Sequence, residues 1–171
     1  IKTSIMTNEV NLRSLTQQDW ISVSRIYAEG IATGIATFET EVPSWNAWNN
    51  KFIEDCRLIA EINNEVVGFA MLSLVSKRKV YKGVAEVTVY ISESCRGKGI
   101  GKNLLEELII ESESLGFWTL QAGIFIENEA SITLHKSCGF RVVGIREKIG
   151  QLNGIWHDNV LLERRTKHNS K

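Results

Sequence analysis

The sequence predicts one domain of the α/β (α+β) class, a single mixed sheet covered by helices. Three observations lead there. The chain has 171 residues, 43% apolar and 23% charged, enough for one full hydrophobic core and too few for two ordinary domains. Apolar residues recur first at the period of a strand and then at that of a helix, in the order strand, two helices, three strands, helix, strand, helix, two strands. No repeat or linker interrupts that order. Residues 1–171 therefore read as a single domain, with a core at about 9–163 and a charged tail, 164–171, that frays.

Each element has its own signal. Glu9 to Arg13 alternates as a short half-buried strand does. Thr16 starts a helix, with Asp19 three residues on in capping-box spacing and Trp20, Val23, Ile26 and Tyr27 along one stripe. Gly30 and Gly34 break that pattern and open a loop through Thr37, Phe38 and Glu39, and Pro43-Ser44 restarts a helix that buries Trp45, Trp48 and Phe52. Arg57 to Ile62 and Val66 to Val75 are strands joined by Asn63-Asn64, a dipeptide suited to a tight hairpin turn. After a basic loop, Lys77-Arg78-Lys79, comes the strand Val84 to Ile91.

A glycine-rich turn then leads into a helix carrying Ile100, Leu104, Leu105, Leu108 and Ser112 on one face, ended by Gly116. Trp118 to Ile126 reads as a buried strand and Asn128 to Cys138 as a short helix ended by Gly139. Phe140 to Ile149 and Trp156 to Leu162 flank Asn153-Gly154 as a final hairpin.

Composition narrows the function classes. Twenty basic residues balance twenty acidic ones, so there is no net basic field to draw nucleic acid or an anionic membrane. No apolar run reaches the length of a membrane-spanning helix, and Ile1 to Met6 reads as too polar and short for a signal peptide. Three widely spaced cysteines, Cys56, Cys95 and Cys138, form no CxxC pair, which favours a reduced, cytoplasmic setting. Three histidines without ligand spacing indicate no metal.

The chemistry concentrates at Arg96-Gly97-Lys98-Gly99-Ile100-Gly101, placed between the strand Val87 to Ile91 and a long helix. Glycines let successive N–H groups converge on one point, and the helix N-terminus adds partial positive charge there. Arg96, Lys98 and Lys102 add full charges, so the turn suits a diphosphate. A Walker A loop is excluded because no Gly-Lys pair has the required upstream glycine or following Ser/Thr. A dinucleotide fingerprint fits poorly, because Gly101 follows Gly99 by two positions instead of three.

Arg96, Gly99 and Gly101 match an Arg/Gln-x-x-Gly-x-Gly/Ala pattern, and Asn128-x-x-Ser131 leads on to Leu134-His135-x-x-x-Gly139-Phe140. These signatures at this separation resemble the GNAT superfamily of acetyl-CoA-dependent N-acetyltransferases. Ile35 to Glu39, Tyr81 with Ala85 to Tyr90, and Gly154-x-Trp156-x-Asp158 resemble its phosphinothricin and methionine sulfoximine acetyltransferase branch.

The resemblance implies a mostly antiparallel seven-stranded sheet with a splayed parallel pair, flanked by about four helices. It implies that the backbone of Val89, Tyr90 and Ile91 pairs with the pantetheine arm and that Gly97 to Lys102, with Ile100, wrap the pyrophosphate. Asn128 would hydrogen-bond the cofactor, cap its helix, or do both. Glu86 would be the general base and His135 a group that protonates or orients the departing thiol, since an ammonium has no lone pair with which to attack. A covalent route through Cys95 has no neighbouring histidine in the sequence to support it.

The implied acceptor is a small molecule with a primary amine, attacking directly in a ternary complex. Thr37, Phe38, Glu39, Val87 and Thr88 would line its site. Lys77, Arg78 and Tyr81 would supply charge and a hydroxyl, with Ser76 where the branch often has arginine, and Trp156 and Asp158 would close the pocket, from this chain or from a partner subunit. Relatives of this branch imply a homodimer. A peptide acceptor and a cofactor sensor without catalysis are the alternatives.

Overall fold

The computed structural model describes residues 9–168. The stretch Ile1 to Met6 and residues 169–171 of the charged tail lie outside the described residues. Seven strands form one sheet in the order β1-β2-β3-β4-β5-β7-β6. They are β1 Asn11–Ser14, β2 Leu58–Ile62, β3 Glu65–Leu74, β4 Val84–Ile91, β5 Thr119–Phe125, β6 Arg141–Leu152 and β7 Ile155–Arg165. The helices are α1 Trp20–Ala32, α2 Trp45–Lys51, α3 Ile100–Ser114 and α4 Glu129–Ser137. Every neighbouring strand pair is antiparallel except β4 and β5.

Strand alternation divides the core between the two faces of the sheet. Leu58, Ala60, Ala70, Leu72, Ala85, Leu120, Ala122, Ile124 and Leu162 pack with Leu104, Leu105 and Leu108 of α3. Ile59, Phe69 and Met71 point the other way, onto Val23, Ile26 and Tyr27 of α1 and Trp48 of α2. Leu104 is fully buried, and such a side chain contributes about 2 kcal/mol by leaving water.

The hairpin turns take the form their residues dictate: Asn63, Asn64, Asn153 and Gly154 all have positive φ. At Thr16 the backbone N–H donates to Asp19 Oδ2 at 2.8 Å, but the first turn is a 3-10 turn, Gln17–Asp19, and α1 begins at Trp20. Asp19 is buried and held 2.8 Å from Arg13. That guanidinium lowers its carboxyl below the usual carboxylate range.

Two local expectations give way to packing. Gly30 does not end its helix; α1 continues to Ala32, and glycine is required at this position because a Cβ there would stand 2.4 Å from Tyr90 Cε1. The glycine lets the helix pass over that ring. Nor does the chain fray from Arg164. Arg164 and Arg165 complete β7, Arg164 pairs with Glu113 of α3 at 2.6 Å, and the Thr166 N–H donates to Trp118 O at 2.9 Å.

Candidate active site

Pairing between β4 and β5 is confined to Val84, Ala85 and Glu86, against Thr119, Leu120 and Gln121. Beyond Glu86, β4 keeps β3 on one side through Ile91, and β5 keeps β7 through Phe125. The two parallel strands therefore open into a notch. A cavity of about 700 Å³ follows it, lined by Glu86 to Ile91 on one wall and Ala122 to Phe125 on the other. That size suits a small-molecule site.

The glycine-rich turn closes one end. Gly97 and Gly99 have φ of 75° and 81°, the left-handed region that glycine enters without cost. Gly99 caps α3 and accepts the first intrahelical bond from the Asn103 N–H at 3.2 Å. The N–H groups of the first turn of a helix have no carbonyl of their own to meet. Gly97, Gly99, Ile100, Gly101, Lys102 and Arg96 line the cavity there. A side chain at Gly97 or Gly99 would meet no atom within 4 Å of its Cβ, so the turn is open where a diphosphate would lie. Lys98 is exposed outside this lining, and Lys102 pairs with Glu106 at 3.8 Å. The open edge of β4, the N–H groups of α3, Arg96 and Lys102 fit coenzyme A.

Glu86 is half-buried at the apex of the notch, and no ion pair among the described residues involves it. His135, on α4, also lines the cavity and is only 4% exposed. Its Nδ1 lies 2.7 Å from Ser131 O. A carbonyl can only accept, so Nδ1 carries the proton and the neutral ring offers Nε2 as an acceptor. Burial pushes the imidazole pKa below its ordinary value. Asn128 caps α4, accepting from the Ser131 N–H at 3.2 Å, and its Nδ2 donates to Ile35 O at 3.4 Å.

That last bond belongs to a strap. The loop between α1 and α2 is tied to both walls of the notch: Tyr90 OH donates to Ala36 O at 3.5 Å, and the Phe38 ring lies 4.4 Å from that of Phe125. Thr37 and Phe38 line the cavity, as do Val87 and Thr88, whereas Glu39 lies outside it. The side chain of Tyr90 serves the core as well, stacked on Phe69 at 5.4 Å.

Ser76, Lys77, Arg78 and Tyr81 are not brought to the cavity. Their loop joins β3 to β4 at the end where β4 and β5 are still paired. There Ser76 Oγ accepts from the Arg78 N–H at 3.2 Å, and the Arg78 guanidinium sits 5.3 Å from the Tyr81 ring. Trp156, 54% exposed beside the β6–β7 turn, is also outside the lining. Sequence reasoning missed Tyr27, Trp48, Lys51, Gly123, Phe125, Arg146 and Asn159, all of which line the cavity. Gly123, inside an apolar strand, was the one visible signal.

Among the described residues no group of three or more His, Cys, Asp or Glu is placed to hold a metal ion. No helix among them is long and apolar enough to cross a membrane.

Comparison with known proteins agrees with this geometry. A phosphinothricin N-acetyltransferase of Alcaligenes faecalis is 32% identical over 160 residues, covering 90% of this chain and 81% of its own. A phosphinothricin acetyltransferase from Sinorhizobium meliloti, solved with AcCoA, superposes with a TM-score of 0.84 at 33% identity, over 91% of this chain and 88% of that one. A ribosomal-protein-alanine N-acetyltransferase from Brucella melitensis gives a TM-score of 0.85 at 30% identity, over 91% and 99%. Residues 12–161 match the family described as an acetyltransferase (GNAT) domain. The notch, the glycine turn and these matches together make the chain a member of the GNAT acetyltransferase family.

Proposed function

We propose that this chain transfers acetyl from acetyl-CoA to the primary amine of a small, amino-acid-like acceptor of the phosphinothricin or methionine sulfoximine type. The observation that carries the reading is Glu86, a half-buried carboxylate at the apex of the notch with no ion-pair partner among the described residues. Acetyl-CoA supplies the acetyl group as a thioester, and its transfer requires an acceptor nitrogen with a free lone pair. Glu86 takes the proton from the acceptor ammonium, directly or through one water. Arg96, the N–H groups at Gly97 to Gly101 and Lys102 hold the diphosphate, and the edge of β4 from Val89 to Ile91 receives the pantetheine arm. As the C–N bond forms and the C–S bond breaks, the attacking nitrogen gives up its second proton to the departing sulfur, so coenzyme A leaves as the thiol. His135, with its Nδ1 proton committed to Ser131, orients that thiol by accepting from its S–H at Nε2.

A peptide acceptor is the second reading, favoured by the name of the Brucella structure. The strap weighs against it: Ala36 and Phe38 roof the acceptor side of the notch. The test is thiol release from acetyl-CoA with methionine sulfoximine, phosphinothricin and an alanyl peptide. Release with the amino acids alone supports the first reading, and release with the peptide alone defeats it.

The chain works as a homodimer in this reading. β6 is one of the two edge strands, and Val142, Val143, Ile145, Ile149 and, on β7, Ile155 and Trp156 are exposed apolar side chains there. An edge of that kind is normally covered. Light scattering that gives a monomer mass at micromolar concentration would overturn the dimer. The three free cysteines fit a reducing cytoplasm.

A further inference from the structure

We propose that Arg146 binds an anionic group at the far end of the acceptor's side chain and so selects amino acids that carry a distal acid. The inference rests on the N-acetyltransferase reading above. Four cations line the cavity: Lys51, Arg96, Lys102 and Arg146. Arg96 and Lys102 flank the diphosphate turn, and Lys51 lies 5.5 Å from the Phe52 ring centroid. Arg146 forms no ion pair among the described residues. Glu86 is the one carboxylate in the lining. The acceptor side of the notch thus offers one carboxylate and one uncommitted guanidinium.

Register fixes where the two stand. Arg146 pairs with Asn159 across β6 and β7, and Asn159 pairs with Phe125 across β7 and β5. Paired residues of antiparallel strands project to the same face, so Phe125, Asn159 and Arg146 form one row. Their neighbours Ile124 and Val160 point into the core under α3, as do Ala85 and Val87 beside Glu86. Strand alternation therefore puts Glu86 on the same face as the row. Glu86 pairs with Gln121, and from Gln121 to Phe125 is four residues, or about 13 Å along the strand. The α-carboxylate of an amino acid lies beside its amine, so an amine at Glu86 leaves Arg146 to meet the other end of the molecule.

The row is furnished for that end. Phe38 covers Phe125, and His157 completes an aromatic wall 4.9 Å from Phe125, against which a short aliphatic side chain can lie. β6 bulges directly after Arg146, where the register slips before Gly150, and the Lys148 N–H donates to Asp158 Oδ1 at 2.8 Å. Bulges of this kind re-aim side chains beside active sites.

The test compares phosphinothricin, whose distal phosphinate is anionic, with methionine sulfone, whose distal oxo group is neutral. Thiol release is followed for the wild type, Arg146→Gln and Arg146→Lys at saturating acetyl-CoA. Arg146→Gln should raise KM for phosphinothricin roughly 10- to 100-fold, the loss of one charge-assisted contact, and at least about tenfold more than it raises KM for methionine sulfone. Arg146→Lys should recover part of that difference. Equal changes for both acceptors, or none, would overturn the assignment while leaving the transferase reading intact. A wild type that takes only methionine sulfone would also overturn it. Release with neither acceptor defeats the amino-acid reading and the role of Arg146 with it.

Discussion

Glu86 and Gln121 form the last register pair between β4 and β5. Below that pair the sheet is continuous; above it, the edges of both strands face a cavity. A carboxylate placed there is surrounded by sheet on one side and ligand space on the other, the position that the proposed proton transfer from an incoming amine requires.

Glu86→Gln removes that acceptor while keeping the shape of the side chain. Its kcat should fall about 100-fold or more, with acetyl-CoA affinity changed less than about twofold, since no diphosphate contact depends on it. Stopped-flow thiol release and calorimetry read the two quantities separately. Near-wild-type turnover would remove Glu86 from the mechanism.

The glycine turn gives a second prediction. At Gly99, φ is 81° and an added Cβ would meet no atom within 4 Å, so the cost of alanine is backbone strain alone, about 1 kcal/mol. Gly99→Ala should lower the unfolding free energy by that amount and weaken acetyl-CoA, because relaxing the strain turns the N–H groups of α3 aside. Gly99→Asn should be milder, since asparagine tolerates this region. Unchanged cofactor affinity in the alanine variant would show that the turn does not hold the diphosphate.

His135 carries a pH dependence of definite sign. Burial lowers its folded pKa below the ordinary 6.5. The unfolded chain therefore takes up a proton first as pH falls, and the stability present above about pH 6.5 declines through the folded pKa. Chemical denaturation at pH 7.5 and pH 5 should show a larger loss for the wild type than for His135→Gln. Equal losses would mean that the ring is as accessible to protons as in the unfolded chain.

Gly30→Ala should destabilise the protein by about 1–3 kcal/mol through overpacking, because the new methyl would meet the Tyr90 ring, itself held between Tyr27 and Phe69. In the Tyr90→Leu background the same change should cost distinctly less. Additive costs in the double variant would assign the effect to something other than this contact.

Much of the fold was legible because its causes are local. Asn63-Asn64 and Asn153-Gly154 have the residues their turns require, and the spacing of Leu104, Leu105 and Leu108 can satisfy only a helix with one buried face. The turn from Arg96 to Gly101 was legible too, since glycine φ angles and a helix terminus are properties of consecutive residues. Asn128 sits where a cap residue must.

Of the residues expected on the acceptor side, Thr37, Phe38, Val87 and Thr88 line the cavity and the basic loop does not. Lys77, Arg78 and Tyr81 have the right chemistry in sequence, yet the β3–β4 loop carries them to the closed end of the notch, where Arg78 meets Tyr81 instead. Arg146 and Asn159 lie far along the chain from Glu86 and reach its cavity only because β7 returns beside β5 and β6 beside β7. The sequence by itself determined the turns, the helices, the split of apolar residues between two faces and the glycine turn that opens α3. Tertiary structure alone decided that pairing between β4 and β5 stops at Glu86, that Gly30 stays helical over Tyr90, and that Lys51 and Arg146 join Arg96 and Lys102 in lining the cavity. Those outcomes depend on strand order and register, which bring distant residues together and which no local spacing encodes.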